Sequence, residues 1–131
     1  FCYPYTGRPG TPDPEGWDSI PGAHGSTPQA VAYSNSYDEF RKLGINLFGL
    51  SLQTADWQLE AVQRLSLRVP LLSDDHALFT AALRLPLFQA GGRNFIRRTT
   101  LIVRDATVVG VHAPDEPEKD AEQVLALVRK Q

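Results

Sequence analysis

Residues 4 to 28 hold Pro4, Pro9, Pro12, Pro14, Pro21 and Pro28 together with Gly7, Gly10, Gly16, Gly22 and Gly25. Proline fixes φ and removes a backbone donor, and glycine favours turns, so neither a helix nor a central strand crosses this stretch. Any fold must therefore carry a long Pro/Gly-rich loop at 4–28 and build its regular structure around it. Loops of this length are uncommon in compact domains and are usually functional or disordered. Trp17 and Ile20 inside it predict a loop that packs.

Regular structure resumes where the loop ends. Thr27 followed by Pro28 predicts a helix start, with a hydroxyl cap and proline at the first helical position. Ala30, Tyr33, Tyr37, Phe40 and Leu43 recur at helical spacing up to Gly44. Ile45 to Leu50 is a short apolar run, expected as a buried strand. Thr54 can cap a second helix with Trp57, Ala61 and Leu65 on one face. Val69 to Leu72 is a further extended segment, ended by Ser73-Asp74-Asp75. A short helix with Ala77, Leu78, Ala81 and Ala82 follows. Arg98 to Val103 and Thr107 to Val111, joined at Asp105-Ala106, form a predicted hairpin. A last helix buries Ala121, Val124, Leu125 and Val128.

With a strand at Phe1 to Tyr3, this order alternates strands and helices and then closes with a hairpin and a helix. The expected fold class is α/β, thioredoxin-like, with a central mixed sheet flanked by helices. A flavodoxin-like sheet is the competing topology, but it calls for more parallel crossovers and no late hairpin. The 131 residues fit a single domain spanning 1–131. A formal net charge of -2 gives no sign of a nucleic-acid or membrane-surface partner. No apolar run approaches the roughly 20 residues of a membrane-spanning helix. Cys2 is the only cysteine, so no internal disulfide and no cysteine-based metal site can form. A cytoplasmic location is the default. The start at Phe1 rather than Met suggests a fragment of a longer protein.

Several motifs stand in a telling order. Phe1-Cys2-Tyr3-Pro4 and Gly25-Ser26-Thr27-Pro28-Gln29 flank the loop, which itself contains Trp17-Asp18-Ser19-Ile20-Pro21-Gly22-Ala23. Leu71-Leu72-Ser73-Asp74 and Arg98-Thr99-Thr100-Leu101-Ile102 follow. Together they resemble the peroxiredoxins, specifically the bacterioferritin-comigratory or Q-type subgroup, over essentially the whole chain. The resemblance implies that the family's first strands, which precede Phe1, are absent here. It places the family's attacking cysteine at Ser26, its arginine at Arg98 and the residues after the cysteine at Thr27 and Gln29. The resolving thiol of many Q-type members falls on Val31. The threonine three residues before the attacking cysteine is Ala23 here. Tyr3, Pro4, Trp17 and His24 would line the pocket. Family partners would be a peroxide and a thioredoxin-like reductant, with no cofactor, no metal, and a monomer or homodimer.

The chemistry explains why Ser26 matters. Such a site holds a cysteine at a helix N-terminus as a thiolate, aided by an arginine. The thiolate attacks a peroxide oxygen and becomes a sulfenic acid, which a second thiol then condenses with. A serine hydroxyl stays protonated at neutral pH, and no obvious base stands ready to activate it. The chain is therefore expected to lack thiol peroxidase turnover. Ser26 is either an engineered replacement of cysteine or the mark of a natural degenerate member. Such a member would serve as a non-catalytic binding or regulatory module using the pocket around Ser26 and Arg98. A serine hydrolase is excluded, because there is no Gly-x-Ser-x-Gly elbow.

Plainer roles compete for the same residues. Ser26 with Gln29 three residues on fits a capping box. Val31 fits plain core. Arg98 beside Arg97 fits a solvated strand pair, and Cys2 fits a buried structural thiol. Asp74, Asp75 and His76 fit a helix cap better than a metal site. His24 fits an exposed loop histidine, and Asp56 with Glu60 a solvated helix face.

Overall fold

The computed structural model describes residues 1 to 130. Its spine is a mixed sheet assembled from short pieces. Strand β1 (Gly49–Ser51) runs parallel to β2 (Leu71–Ser73), pairing Gly49 with Leu71 and Ser51 with Ser73. Strands β5 (Thr100–Arg104) and β6 (Thr107–His112) form the expected hairpin. Its turn residues Asp105 and Ala106 both take positive φ, as a two-residue hairpin turn requires. The segment around Cys2 joins the two pairs: it bridges Leu50 in parallel and Thr99 in antiparallel sense. The expected strand at Phe1 to Tyr3 is thus reduced to isolated bridges, held by Tyr3 N–H to the Leu50 carbonyl and by a reciprocal pair between Cys2 and Thr99.

A second hairpin has no counterpart in the sequence expectations. Strand β3 (Leu87–Ala90) pairs antiparallel with β4 (Arg93–Ile96), and Gly91 and Gly92 turn the corner at φ 54° and 75°. It carries the loop. Trp17, Tyr5 and Ala23 pack with Phe88, Ala90 and Phe95 into one buried aromatic cluster. The loop is therefore packed, in keeping with Trp17 and Ile20. Its near end is anchored at Thr6, whose carbonyl accepts from Trp57 Nε1 at 2.7 Å and from Gln53 Nε2 at 3.0 Å.

The helix expected from Thr27 to Leu43 is two helices, α1 (Ser26–Asn35) and α2 (Tyr37–Lys42). The break falls at Ser34-Asn35-Ser36, residues whose side chains compete with helical backbone bonding. The Ser34 hydroxyl accepts the N–H of Arg68 at 2.8 Å instead. Tyr33, Phe40 and Val69 form a second cluster with Ala121, Val124 and Leu125 of the last helix, α5 (Asp120–Arg129). Helix α3 (Ala55–Leu65) starts as expected, with Thr54 accepting from Trp57 N–H. The strands predicted at 45–50 and 69–72 are shorter, since only Gly49–Ser51 and Leu71–Ser73 pair. Among the described residues no helix is long and apolar enough to cross a membrane.

Asp74 serves the start of the next helix, though from three residues before its N-cap, Ala77. Its carboxylate accepts from Phe79 N–H at 3.1 Å, Thr80 N–H at 2.8 Å and the Thr80 hydroxyl at 2.6 Å, at the start of the short helix α4 (Leu78–Ala82). Burial opposes the charge, but these hydrogen bonds outweigh it and hold the carboxyl below the usual range. A depressed carboxyl pKa stabilises the fold above the unfolded value of about 3.9 and ceases to as pH falls through the folded value. Asp74→Ala should cost about 0.5–2 kcal/mol at pH 7. The gap to the parent should narrow below about pH 4, read by chemical denaturation at the two pH values.

Candidate functional site

The N-terminus of α1 meets the loop and the sheet at Ser26. Gly25 precedes the helix at φ 111°, a left-handed conformation in which a side chain would also run into Pro117. Ser26 opens the helix and is 2% exposed. Its Oγ accepts from Arg98 Nη1 at 3.1 Å and from Tyr5 N–H at 3.5 Å. The hydroxyl is therefore engaged from outside its own helix, and no side-chain cap forms. This corrects both the Thr27 cap and the Ser26–Gln29 capping box. Pro28 sits in the third helical position, still within the first turn, where a missing N–H costs nothing.

Arg98 precedes β5 and is 8% exposed. Its Nη1 donates to Ser26 and to Gln29 Oε1, the latter at 2.6 Å. Its Nη2 faces the carbonyls of Gly22 (3.2 Å), His24 (3.1 Å) and Ala23 (3.5 Å). Arg98 is thus no solvated strand residue: it clamps the far end of the loop onto the helix start. Burial lowers its pKa to about 10, with Asp120 opposing the shift, so the guanidinium stays charged at neutral pH.

Behind Arg98 lies a polar network that the sequence reading missed. Gln29 is fully buried, and its Nε2 donates to Asp120 Oδ2 at 3.0 Å. The same oxygen accepts from Tyr33 OH at 2.7 Å and Thr100 Oγ1 at 2.6 Å. His112 Nδ1 lies 2.8 Å from Oδ1. Asp120 is itself 0% exposed. Burial, then the Asp120 charge, raises the Tyr33 pKa and keeps the phenol a donor. A signal was present: Asp120 lies four and eight residues before Val124 and Val128, on the buried face of the last helix.

The remaining expected residues divide. Tyr3 is buried, but its hydroxyl donates to Gln58 on α3 rather than to Ser26. Pro4 is buried beside it in sequence, and Tyr5 supplies the backbone contact instead. Trp17 serves the aromatic cluster. The His24 ring is exposed and pairs with Asp18 at 2.6 Å, and only its carbonyl reaches Arg98. Thr27 and Val31 are half-buried. Cys2 is 4% exposed, and burial pushes its thiol pKa up. Asp13, Asp18 and His24 bring three ligand atoms within 4.8 Å, all on exposed residues. Asp75 and His76 lie 3.9 Å apart on the surface, with no third ligand among the described residues. Beside Arg98, a cavity of about 420 Å³ opens between Pro21, His24, Phe88, Arg97 and Pro117.

A helix N-terminus backed by a buried arginine, on a mixed sheet with a late hairpin, defines a thioredoxin-fold protein of the redoxin kind. The Redoxin family model matches residues 19–125, and the chain belongs to that family. A peroxiredoxin of Archaeoglobus fulgidus is 29% identical over 111 residues, covering 79% of this chain and 51% of that protein. The chain thus spans about half the length of that curated relative. Among solved structures, Xanthomonas campestris peroxiredoxin Q carrying a cysteine-to-serine change superposes with a TM-score of 0.75 at 19% identity, over 98% of this chain and 75% of that one. The peroxidoxin BcpB of Mycobacterium tuberculosis gives 0.70 at 22% identity, over 85% and 71%. At these identities the structural likeness speaks for the fold.

Replacing Arg98 by Leu would take the donor from the buried Ala23 carbonyl and from the partly buried carbonyls of Gly22 and His24, at about 1–3 kcal/mol for each group truly orphaned. Arg98→Leu is expected to destabilise the protein by at least about 2 kcal/mol. It should also open residues 19–25 to limited proteolysis. Unchanged cleavage there would show that the clamp does not hold the loop.

Proposed function

We propose that this protein is a peroxiredoxin-type domain that keeps the architecture of a thiol peroxidase site without its chemistry. One observation carries the reading: Ser26 Oγ occupies the first turn of α1, buried and 3.1 Å from Arg98 Nη1. Helix dipole and guanidinium both favour negative charge at this spot. A thiol here would be drawn toward the thiolate, whereas an alcohol titrates too high to respond. Ser26, Arg98 and Thr27 are the residues at the reacting position, and Val31 is the position without a resolving thiol. The relatives' substrates, a peroxide and a thioredoxin-like reductant, are the partners that a restored site would use. A reducing cytoplasmic setting suits a chain whose single thiol is buried and free.

A second reading is a non-catalytic binding or regulatory module. The cavity of about 420 Å³ beside Arg98 favours it, because it offers apolar walls and the exposed Arg97 next to the loop. In either case the chain as written should consume no hydrogen peroxide with thioredoxin or a dithiol. Steady turnover that disappears on Cys2→Ala would overturn the assignment.

The Ser26→Cys protein, with Cys2→Ala as background, isolates the first step. The introduced thiolate attacks one peroxide oxygen, the O–O bond breaks, water leaves, and sulfur carries away the hydroxyl as a sulfenic acid. A thiol pKa of about 8.5 should move toward neutrality. One equivalent of peroxide should add one oxygen at position 26 by mass spectrometry, and excess should add more. Val31→Cys in the same protein should divert the sulfenic acid into a disulfide through local unwinding of α1, which holds both positions. If the single variant gains no oxygen, the site has decayed beyond the cysteine and the binding module is the better account.

A further inference from the structure

We propose that Asp120 is a positioning residue of this site, fixing Arg98 against residue 26 through the amide of Gln29; the functional weight of this rests on the reading of Ser26 and Arg98 above. Arg98 is a buried cation whose hydrogen bonds all go to neutral groups: three carbonyls, a hydroxyl and an amide oxygen. A buried charge needs a compensating one. The charge that acts on Arg98 is that of Asp120. Gln29 stands between them, 2.6 Å from the guanidinium and 3.0 Å from the carboxylate.

The ends of this bridge leave the amide one orientation. A guanidinium only donates and an ionised carboxylate only accepts, so Oε1 must face Arg98 and Nε2 must face Asp120. Turning the amide over would set donor against donor and acceptor against acceptor. Arg98 and the Asp120 carboxylate therefore hold the amide from its two ends, and Arg98 in turn reaches Ser26 from the same nitrogen, Nη1. Asp120 can do this because it is itself immobile. Tyr33 from α1, Thr100 from β5 and His112 from β6 all bind it, and it starts α5. Four elements thus meet on one carboxylate, and its link toward position 26 is Gln29.

A merely structural acid would lower stability when removed and leave the arginine alone. A positioning acid would free the guanidinium. The two separate in the ¹⁵N NMR spectrum of the full chain, where a clamped guanidinium exchanges its Nη–H protons slowly. Asp120→Asn, which keeps the shape and loses the charge, should speed exchange at Arg98 by about tenfold while the backbone amides of β1 and α3 stay protected. In a Gln29→Met protein, adding Asp120→Asn should change Arg98 exchange no further, as a route through one residue requires. Unchanged Arg98 exchange in folded Asp120→Asn, or an additive effect in the double variant, would overturn the proposal. If Asp120→Asn fails to fold, Tyr33→Phe replaces it. That change removes one donor from the carboxylate without touching Arg98, and a guanidinium equally slow there would also overturn the proposal. The readout involves neither peroxide nor thiol, so its failure and that of the functional reading are distinguishable.

Discussion

A guanidinium taken out of water must find its acceptors inside the protein, and Arg98 finds them where the loop runs into α1. The last residues of the proline-rich loop supply carbonyls, and the first turn of α1 supplies Ser26 and Gln29. Loop end and helix start are thereby held to the same side chain. Within the loop a series of i to i+3 turn bonds, including one 3-10 turn at Trp17–Ser19, sets the local shape, while its two ends and the aromatic cluster between them fix where it sits. Thr6 holds one end through Gln53 and Trp57, and Arg98 holds the other.

The same demand explains why the site is closed. Every donor position that the guanidinium turns toward α1 and the loop already meets an oxygen of the chain. Ser26 is one of those oxygens, and with 2% exposure it offers solvent almost nothing. A hydroxyl fits this role without strain, since it accepts from Arg98 as a neutral group. The position retains the electrostatics suited to an anion, but it holds a residue that never becomes one.

Much of this was legible before any coordinates. The hydroxyl of Thr54, the carboxylate of Asp74, the turn at Asp105-Ala106 and the packing of Trp17 all follow from local chemistry, and the structure keeps them. The resemblance to the peroxiredoxins also implied that Ser26 and Arg98 meet, and they do, across 72 residues of chain. Local chemistry misled where a distant partner outbid it. Ser26 and Gln29 have the spacing of a capping box, yet Arg98 and Asp120 claim both side chains. The β3–β4 hairpin had its signal in Gly91-Gly92 between two short runs, but Arg93 and Asn94 hid the strand pattern behind polar residues. Asp120 stands in a helix's first turn, where an acid is ordinary, and its spacing to Val124 and Val128 was the one sign that it faces inward.

The arrangement of aromatic rings has a use of its own. The chain contains two tryptophans, and both lie 5.5 Å from the ring of Tyr5, one on the loop and one on α3. Trp57 also donates its ring N–H to the loop's anchor, the Thr6 carbonyl. The intrinsic fluorescence of this protein is therefore not an average over the molecule. It is a local reporter of how the loop packs around Tyr5, and a probe of that packing needs no label.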